Sequence, residues 1–335
     1  MSVAGLVSVV VIGRNEGARL EKCLASIAEM AREGFETETI YVDSGSTDLS
    51  IAIARRLGAA TVALQADRTT AAMGRNAGWR AARGEIVLFL DGDTVLHPRF
   101  VTDSLGEFLD LSVAVVWGHR RELHPEQSGY VRVMDLDWVY APGDTAFCGG
   151  DALFRRELLE ATGGFDETLI AGEEPDLCRR IIGFGYRIVH VDRAMTGHDL
   201  AITRFSQYWK RAKRAGYAFA EVSERFRGTD NQFWLADARR NRVREIVLLG
   251  LQGVAIAASL LQADWMAPIV AGSIWLLVLR TAWKARWKSP DRLTLLLYGV
   301  HSQFQQIPIF VGQMEFFANR RRGKRAGLVE YKRRG

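Results

Sequence analysis

The chain has 335 residues, of which 48% are hydrophobic and 25% charged, with a formal net charge of +5. This length is enough to bury a full core, and we expect one catalytic domain with an appended segment. The three cysteines, Cys23, Cys148 and Cys178, are widely spaced and form no CxxC pair. Their spacing argues against a disulfide framework or a zinc site and favours a reducing cytosol.

The first half of the chain alternates short apolar runs with amphipathic stretches. The start, Met1–Ile12, lacks a basic n-region and a cleavage site, so we interpret it as a strand and not as a signal peptide. Strands are predicted at 7–12, 39–42, 60–64, 86–90, 113–118 and 186–191, and helices at 18–31, 49–57, 70–82 and 155–161. Ser46 or Thr47 is predicted to cap the helix at 49–57. Strands that alternate with helices predict a parallel, doubly wound α/β sheet.

The apolar run Ile86–Leu90 ends in Asp91-Gly92-Asp93. Residues two apart in an extended chain point to the same side, so the two carboxylates can converge. They would then repel each other unless a cation lay between them, and a hard ion with oxygen ligands, Mg²⁺ or Mn²⁺, is suitable. A solvated Asp-Gly turn is the alternative interpretation.

Polar residues also follow the first two predicted strands: Asn15 and Glu16 after the first, and Asp43 after the second. An α/β sheet binds ligands outside the carboxyl ends of its strands, so a nucleotide-binding crevice is predicted here. The sequence contains no GxGxxG after the first strand and no GxxxxGK[ST], which argues against a dinucleotide-binding unit and a P-loop. The phosphates would be held by the metal and by Arg75 or Arg68. Alternatively, Arg75 is a solvated helix residue.

Residues 141–185 contain a second polar cluster. The loop Ala146–Asp151 reads AFCGGD, and GEEPD at 172–176 opens a helix that is predicted to run to Ile182. Pro175 fits the first turn of that helix. The acids Glu173, Glu174 and Asp176 are either charges that complement the helix N-terminus or include a general base for an acceptor hydroxyl.

Six segments together resemble the signature blocks of family 2 glycosyltransferases. In the order of that family they read SVVVIGRNE, VDSGSTD, GRN through GEIVLFLDGDT, CGGDALFRRE, GGFDE and GEEPDLCRR, and they cover Val7 to about Val191. The resemblance implies a GT-A fold, which is Rossmann-like with a mostly parallel sheet flanked by helices. It also implies inverting, metal-dependent transfer of a sugar from a nucleotide-sugar.

The resemblance further implies roles for individual residues. Asp43 would contact the nucleobase and Arg75 the diphosphate. Asp91 and Asp93 form the DXD motif, in which Asp93 is the more favoured metal ligand. The remaining donor-side candidates are Asn15, Glu16 and Asp91.

The family usually has Glu-Asp where this chain has Glu173-Glu174, so Glu174 would take the role of general base. The acceptor-side candidates are Gly149, Gly150, Asp151, Glu173 and Asp176. His198, in TGHD, is either a further metal ligand or phosphate contact, or a surface-loop histidine.

The composition changes after residue 200. Segment 205–225 is predicted as an interfacial amphipathic helix or as a packed helix with a basic outer face. The uncharged runs 246–262 and 265–283 predict a transmembrane hairpin with both outer ends in the cytoplasm. Segment 293–313 predicts a re-entrant or in-plane helix. The alternative is that the segments 246–262, 265–283 and 293–313 are core helices of a soluble domain.

The predicted domains are therefore a catalytic domain at 1–200, a helical connector at 201–244 and a membrane-associated region at 245–335. We expect a glycosyltransferase at the inner (plasma) membrane with a cytoplasmic catalytic domain. Its expected partners are a nucleotide-sugar donor, with a UDP-sugar favoured, a lipid-linked or glycan acceptor, and anionic membrane lipids; no nucleic acid is expected. The rival interpretations are a nucleotidyltransferase and a catalytically silent membrane scaffold.

Overall fold

A computed structural model of the chain describes residues 5–66, 68–260 and 266–324. The chain forms two compact units. The first consists of the described residues up to His124 together with Trp138–Leu200. The second consists of Pro125–Asp137 and the described residues from Ala201 onward.

The strands belong to the first unit. They are β1 (Leu6–Gly13), β2 (Glu36–Asp43), β3 (Ala60–Ala63), β4 (Ile86–Asp91), β5 (Thr94–Leu96), β6 (Val113–Glu122), β7 (Gly143–Thr145), β8 (Ala152–Arg155) and β9 (Arg187–His198). Within the described residues they form one sheet in the order β3-β2-β1-β4-β8-β6-β9-β5, and β7 pairs with β9. β1 to β4 are mutually parallel, whereas β8 runs antiparallel to both β4 and β6.

The helices of the first unit are α1 (Ala18–Ala28), α2 (Ser50–Arg56), α3 (Ala71–Ala81), α4 (Phe100–Ser104), α6 (Arg156–Thr162) and α7 (Glu173–Gly183). Those of the second unit are α5 (Gly129–Asp135), α8 (Phe205–Arg225), α9 (Leu235–Leu260), α10 (Met266–Lys284), α11 (Arg292–Phe304) and α12 (Gln306–Arg321). Two 3₁₀ turns lie at Leu105–Leu109 and Leu136–Trp138.

The central strand β4 is buried on both faces from Ile86 to Leu90, as its unbroken apolar run predicts. β1 pairs with β2 so that Gly13 lies opposite Asp43, and with β4 so that Ile12 lies opposite Asp91. The predicted convergence of the strand ends is thereby confirmed, because Asp43 and Asp91 finish at the same edge of the sheet.

Two local predictions are wrong. The sheet is mixed and not wholly parallel, because the four-residue strand β8 enters antiparallel beside β4, and the loop before β8 is thus placed next to Asp91. Neither Ser46 nor Thr47 caps α2. The hydroxyl of Ser46 accepts the N–H of Asn15 instead, and Asp48 accepts the N–H of Ser50.

In the second unit, α8 and α12 pack closely through two glycines. A Cβ added at Gly216 would lie 2.0 Å from the carbonyl oxygen of Ile309, and one added at Gly312 would lie 2.0 Å from that of Lys213. Only residues without a side chain permit such an approach of two backbones. Tyr208 and Tyr217 of α8 are buried, so α8 matches the packed-helix interpretation of segment 205–225.

The helices predicted to cross a membrane do form, as α9 and α10. Among the helices of the described residues, however, none is both long enough and apolar enough to span a bilayer. The predicted transmembrane hairpin is therefore not supported, and its connection at residues 261–265 lies outside the described residues.

Segment 293–313 also differs from its prediction. It is not one re-entrant helix but parts of two helices, α11 and α12, with Gln305 between them. Its polar residues bind within the second unit: His301 hydrogen-bonds to Tyr208, and Gln303 donates to the hydroxyl of Thr281. Polar side chains that look out of place in an apolar run are thus satisfied by neighbouring helices.

Candidate active site

Arg75, on α3, joins the end of β4 to the start of α7. Its guanidinium donates to Asp91 at 2.9 Å and to Glu173 at 2.8 Å, and lies 3.2 Å from a carboxylate oxygen of Glu174. The side chain is 3% exposed, which excludes the solvated-helix interpretation. Three acids thus surround the guanidinium. The predicted contact of Arg75 with a diphosphate stays a prediction.

Glu174 lies in the first turn of α7 with a side chain that is 17% exposed. Burial, and then the neighbouring charge of Glu173, raise the pKa of Glu174 to about 7, although Arg75 acts in the opposite direction. A carboxyl group with this pKa exchanges its proton near neutral pH, as a general base requires. The interpretation of Glu174 as only a helix-end charge does not explain this pKa.

The loop before β8 lies against the guanidinium of Arg75. A Cβ on Gly150 would lie 2.6 Å from Nη2 of Arg75 and 2.9 Å from Oδ2 of Asp91, so a side chain at this position would displace both. Asp151 accepts the backbone N–H of Asp91 at 3.0 Å and the hydroxyl of Thr196 at 2.8 Å. Asp151 therefore holds the backbone of Asp91 in place.

Three of the acceptor-side candidates are buried. Asp151, Glu173 and Asp176 are 0%, 4% and 3% exposed, respectively. Each carboxylate is bonded inside the protein, Glu173 to Arg75 and Asp176 to Arg180. Buried carboxylates with protein partners support the structure of the site. For these three acids, as for Gly149 and Gly150, the acceptor role stays a prediction.

Asp93 lies against His198 at the end of β9. Oδ2 of Asp93 is 3.4 Å from Nε2 of His198, and Nδ1 of His198 is 2.7 Å from Glu122. All three side chains are buried, so His198 is not a surface-loop histidine. Burial, and then the charge of Arg120, lower the pKa of His198, which favours the neutral imidazole that metals bind.

The Asp93–His198 pair fits a divalent cation. Adjacent ligands of an octahedral ion, each about 2.1 Å from it, lie about 3 Å apart, close to the observed separation. In the described part of the chain, no group of three or more His, Cys, Asp or Glu side chains has a metal-binding arrangement. A site with two protein ligands suits Mg²⁺ or Mn²⁺ that completes its coordination with substrate phosphates. Oδ1 of Asp91 accepts a hydrogen bond from Arg75, and the role of Asp91 as a metal ligand stays a prediction.

The donor-side candidates after β1 and β2 organise their own loops. Asp43 is buried and accepts the hydroxyl of Tyr41 and the N–H groups of Gly45 and Ser46. Asn15, with a φ of 56°, accepts the N–H of Thr47, and Glu16 pairs with Arg19. Their contacts with a nucleotide stay predictions.

Sequence reasoning missed two residues at the end of β6, Arg120 and Glu122. Arg120 lies 3.6 Å from both Asp91 and Asp151, with its guanidinium over the ring of Trp138 at 4.6 Å. Glu122 contacts His198, as described above. The available signal was the charged stretch HRRE, which continues an apolar strand without a break.

A model of a known protein family matches this part of the chain. Residues 8–163 match Glycosyl transferase family 2. The matched segment covers slightly less than half of the chain. It contains Asp43, Arg75, Asp91 and Asp93, whereas Glu174 and His198 lie beyond its end.

The chain is also similar to individual characterised proteins. The chain is 31% identical over 139 residues to the pre-mycofactocin glycosyltransferase of Mycobacterium tuberculosis, a match that covers 38% of this chain and 30% of that protein. It is 23% identical over 230 residues to glycosyltransferase AglE of Haloferax volcanii, covering 66% of this chain and 75% of AglE. The chain thus spans less than a third of the length of the first relative.

Solved structures share the fold. The mannosyltransferase PcManGT from Pyrobaculum calidifontis, in complex with GDP-Man and Mn²⁺, superimposes with a TM-score of 0.64 at 21% identity over 89% of this chain and 86% of its own. TarS from S. aureus, in complex with UDP-GlcNAc, superimposes with a TM-score of 0.51 at 16% identity over 95% of this chain and 92% of its own. The predicted α/β, GT-A-like fold is confirmed, with a mixed sheet.

Proposed function

We propose that the protein is an inverting glycosyltransferase that moves a sugar from a nucleoside-diphosphate sugar to an acceptor hydroxyl. The observation that carries this proposal is Glu174, a carboxyl group with a pKa near 7 that Arg75 ties to the Asp91 end of β4. The family 2 match of residues 8–163 supports the same chemistry.

In the proposed reaction, Glu174 accepts the proton of the acceptor hydroxyl. The acceptor oxygen forms a bond to the anomeric carbon while the bond from that carbon to the diphosphate oxygen breaks, and the nucleoside diphosphate leaves with the electron pair. A single displacement from the opposite face inverts the anomeric configuration. Arg75 orients the carboxylate of Glu174 by its contact at 3.2 Å.

Asp93 and His198 would hold a Mg²⁺ or Mn²⁺ ion. When bound, this ion supplies positive charge that stabilises the diphosphate leaving group. The proposed donor is a nucleotide-sugar, because proteins with the same fold bind GDP-Man and UDP-GlcNAc. A UDP-sugar and a lipid-linked or glycan acceptor remain the specific proposals.

Donor binding can be tested by thermal shift with a panel of nucleotide-sugars in the presence of Mn²⁺. A ligand that binds only the folded state raises its stability by mass action. We expect at least one donor to raise the melting temperature of the wild type, and to do so much less in Asp93→Asn. If no donor stabilises the wild type, or if every donor stabilises both proteins equally, the proposed donor site is wrong.

We also propose that the second unit binds the surface of an anionic membrane. Ile246, Trp275 and Trp283 are 59%, 54% and 64% exposed, and such apolar exposure is uncommon on a surface that faces only water. The basic residues Arg240 and Arg286 lie near these apolar side chains along α9 and just after α10. Apolar and basic side chains together favour interfacial binding to anionic lipids.

Sedimentation with phosphatidylglycerol and phosphatidylcholine vesicles tests the membrane proposal. We expect binding to the anionic vesicles that weakens in high salt and in Trp283→Asp. The matched control is Leu109→Asp, which alters an equally exposed apolar residue of the first unit, 69% exposed, and should bind as the wild type does. Equal binding of all three proteins would contradict a role for α10.

A further inference from the structure

Glu122 is a buried acid that the proposed proton transfer does not use. Its side chain is 1% exposed at the end of β6, and its Oε1 atom lies 2.7 Å from Nδ1 of His198. Its second oxygen, Oε2, accepts the backbone N–H of Leu200 at 3.1 Å. Both carboxylate oxygens are thus bound to the segment that carries His198.

The pairing of three strands creates this contact. Glu122 of β6 lies directly opposite His198 of β9, and Thr94 of β5 lies opposite His198 on the other side. Asp93 immediately precedes Thr94, and its carbonyl oxygen accepts the N–H of Asp199 at 3.1 Å. The sheet itself therefore holds Asp93, His198 and Glu122 in line.

The hydrogen bond between His198 and Glu122 indicates which ring nitrogen of His198 carries a proton. An ionised carboxylate can only accept, so a hydrogen bond at 2.7 Å requires the proton on Nδ1 of His198. The neutral ring then has its lone pair on Nε2, which is 3.4 Å from Asp93. In the other tautomer, the lone pair of Nδ1 would face the carboxylate of Glu122 at 2.7 Å, which is closer than Asp93 is to Nε2, so the repulsion would be greater.

We propose that Glu122 is the positioning residue that fixes the tautomer and orientation of His198, so that Nε2 and Asp93 together bind a divalent cation. A carboxylate behind a metal-binding histidine orients the ring and raises its basicity, and loss of such a partner typically weakens metal binding 10- to 100-fold. The inference rests on the proposed function only in what the bound cation does during the reaction.

The tautomer can be measured without any metal. The chain has six histidines, so a ¹⁵N-histidine NMR spectrum of the whole protein is small enough to assign with a His198→Gln variant. We expect Nδ1 of His198 to carry a proton. A ring without a proton on Nδ1 would overturn the inference.

Metal affinity is the second readout, measured as free Mn²⁺ by electron paramagnetic resonance in the presence of nucleoside diphosphate. We expect Glu122→Gln to bind Mn²⁺ 10- to 100-fold more weakly than the wild type. The matched control is Asp192→Asn. The carboxylate of Asp192, on β9, lies 2.7 Å from another histidine, His119 of β6, outside the site. This control should bind Mn²⁺ as the wild type does.

The outcomes separate the two proposals. Equal Mn²⁺ affinity in Glu122→Gln and the wild type overturns the role of Glu122, whatever the activity. A wild type that binds no Mn²⁺ overturns both this role and the metal-dependent part of the function. If the affinities and the tautomer are as expected but no sugar is transferred, the inference stands and the proposed function fails.

Discussion

The raised pKa of Glu174 predicts a specific pH dependence of sugar transfer. Only the ionised carboxylate can accept a proton, so kcat/KM should follow the ionised fraction of Glu174. With a pKa of about 7, about one-eleventh of this group is ionised at pH 6 and about ten-elevenths at pH 8. The rate should therefore rise about tenfold over this interval and level off above it.

Replacement of the carboxyl group gives the matching perturbation. Glu174→Gln keeps the size of the side chain but cannot take a proton, and a general base contributes roughly 10²- to 10⁴-fold. We expect kcat to fall by this factor and the residual rate to lose its acid limb. The assay is the initial rate of nucleoside diphosphate release over a range of donor concentrations, which gives both kcat and kcat/KM, measured from pH 5.5 to pH 9.

The control for this experiment is Glu160→Gln, the same chemical change at a residue on α6 that is 52% exposed. It should retain the rate and the pH profile of the wild type. A wild-type rate that is flat between pH 6 and pH 8, or a Glu174→Gln variant that keeps the full rate, would refute the assignment of Glu174 as the base.

Three further outcomes follow from the contacts. Removal of divalent cations with EDTA should abolish transfer, and Mn²⁺ should restore it in the wild type but not in Asp93→Asn; full activity in EDTA would contradict the metal role. Asn76→Ala should lower the free energy of unfolding by about 3 kcal/mol in urea titrations, because the buried N–H groups of Phe165 and Trp79 both lose their acceptor; an unchanged midpoint would contradict this. Gly216→Val should lower the melting temperature far more than Gly250→Val, which meets no atom within 4 Å; equal shifts would contradict close packing at Gly216.

Much of the site could be predicted from the sequence, because local signals define strand ends. The strands predicted at 39–42 and 86–90 implied that Asp43 and Asp91 would meet at one edge, and the register of the parallel strands places them there. Glu174 was identified through GEEPD at a helix start. Each of these signals lies within a few residues of the group it predicts.

Contacts between distant strands could not be predicted in this way. Glu122 meets His198 only because β6 and β9 pair in a particular register, and the sequence between them contains no signal for that register. The contacts of the Arg75 guanidinium with Glu173 and Glu174 of α7 were likewise not predicted. A charge on a helix face predicts an ionic partner without identifying it.

The apolar runs of the second unit show a different limit. Hydrophobicity predicted helices at α9 and α10 correctly, but no helix of the described residues is long and apolar enough to span a bilayer. The break at Gln305 was also missed, because glutamine is compatible with a helix interior.

The most direct test of the proposed chemistry identifies the nucleotide that a nucleotide-sugar yields when it is incubated with the protein, Mn²⁺ and a lipid or glycan acceptor extract. We predict that the wild type releases nucleoside diphosphate from at least one donor, and that Asp93→Asn and Glu174→Gln both lose this release. Release of nucleoside monophosphate or pyrophosphate, or nucleoside diphosphate release that survives both substitutions, would contradict sugar transfer at this site.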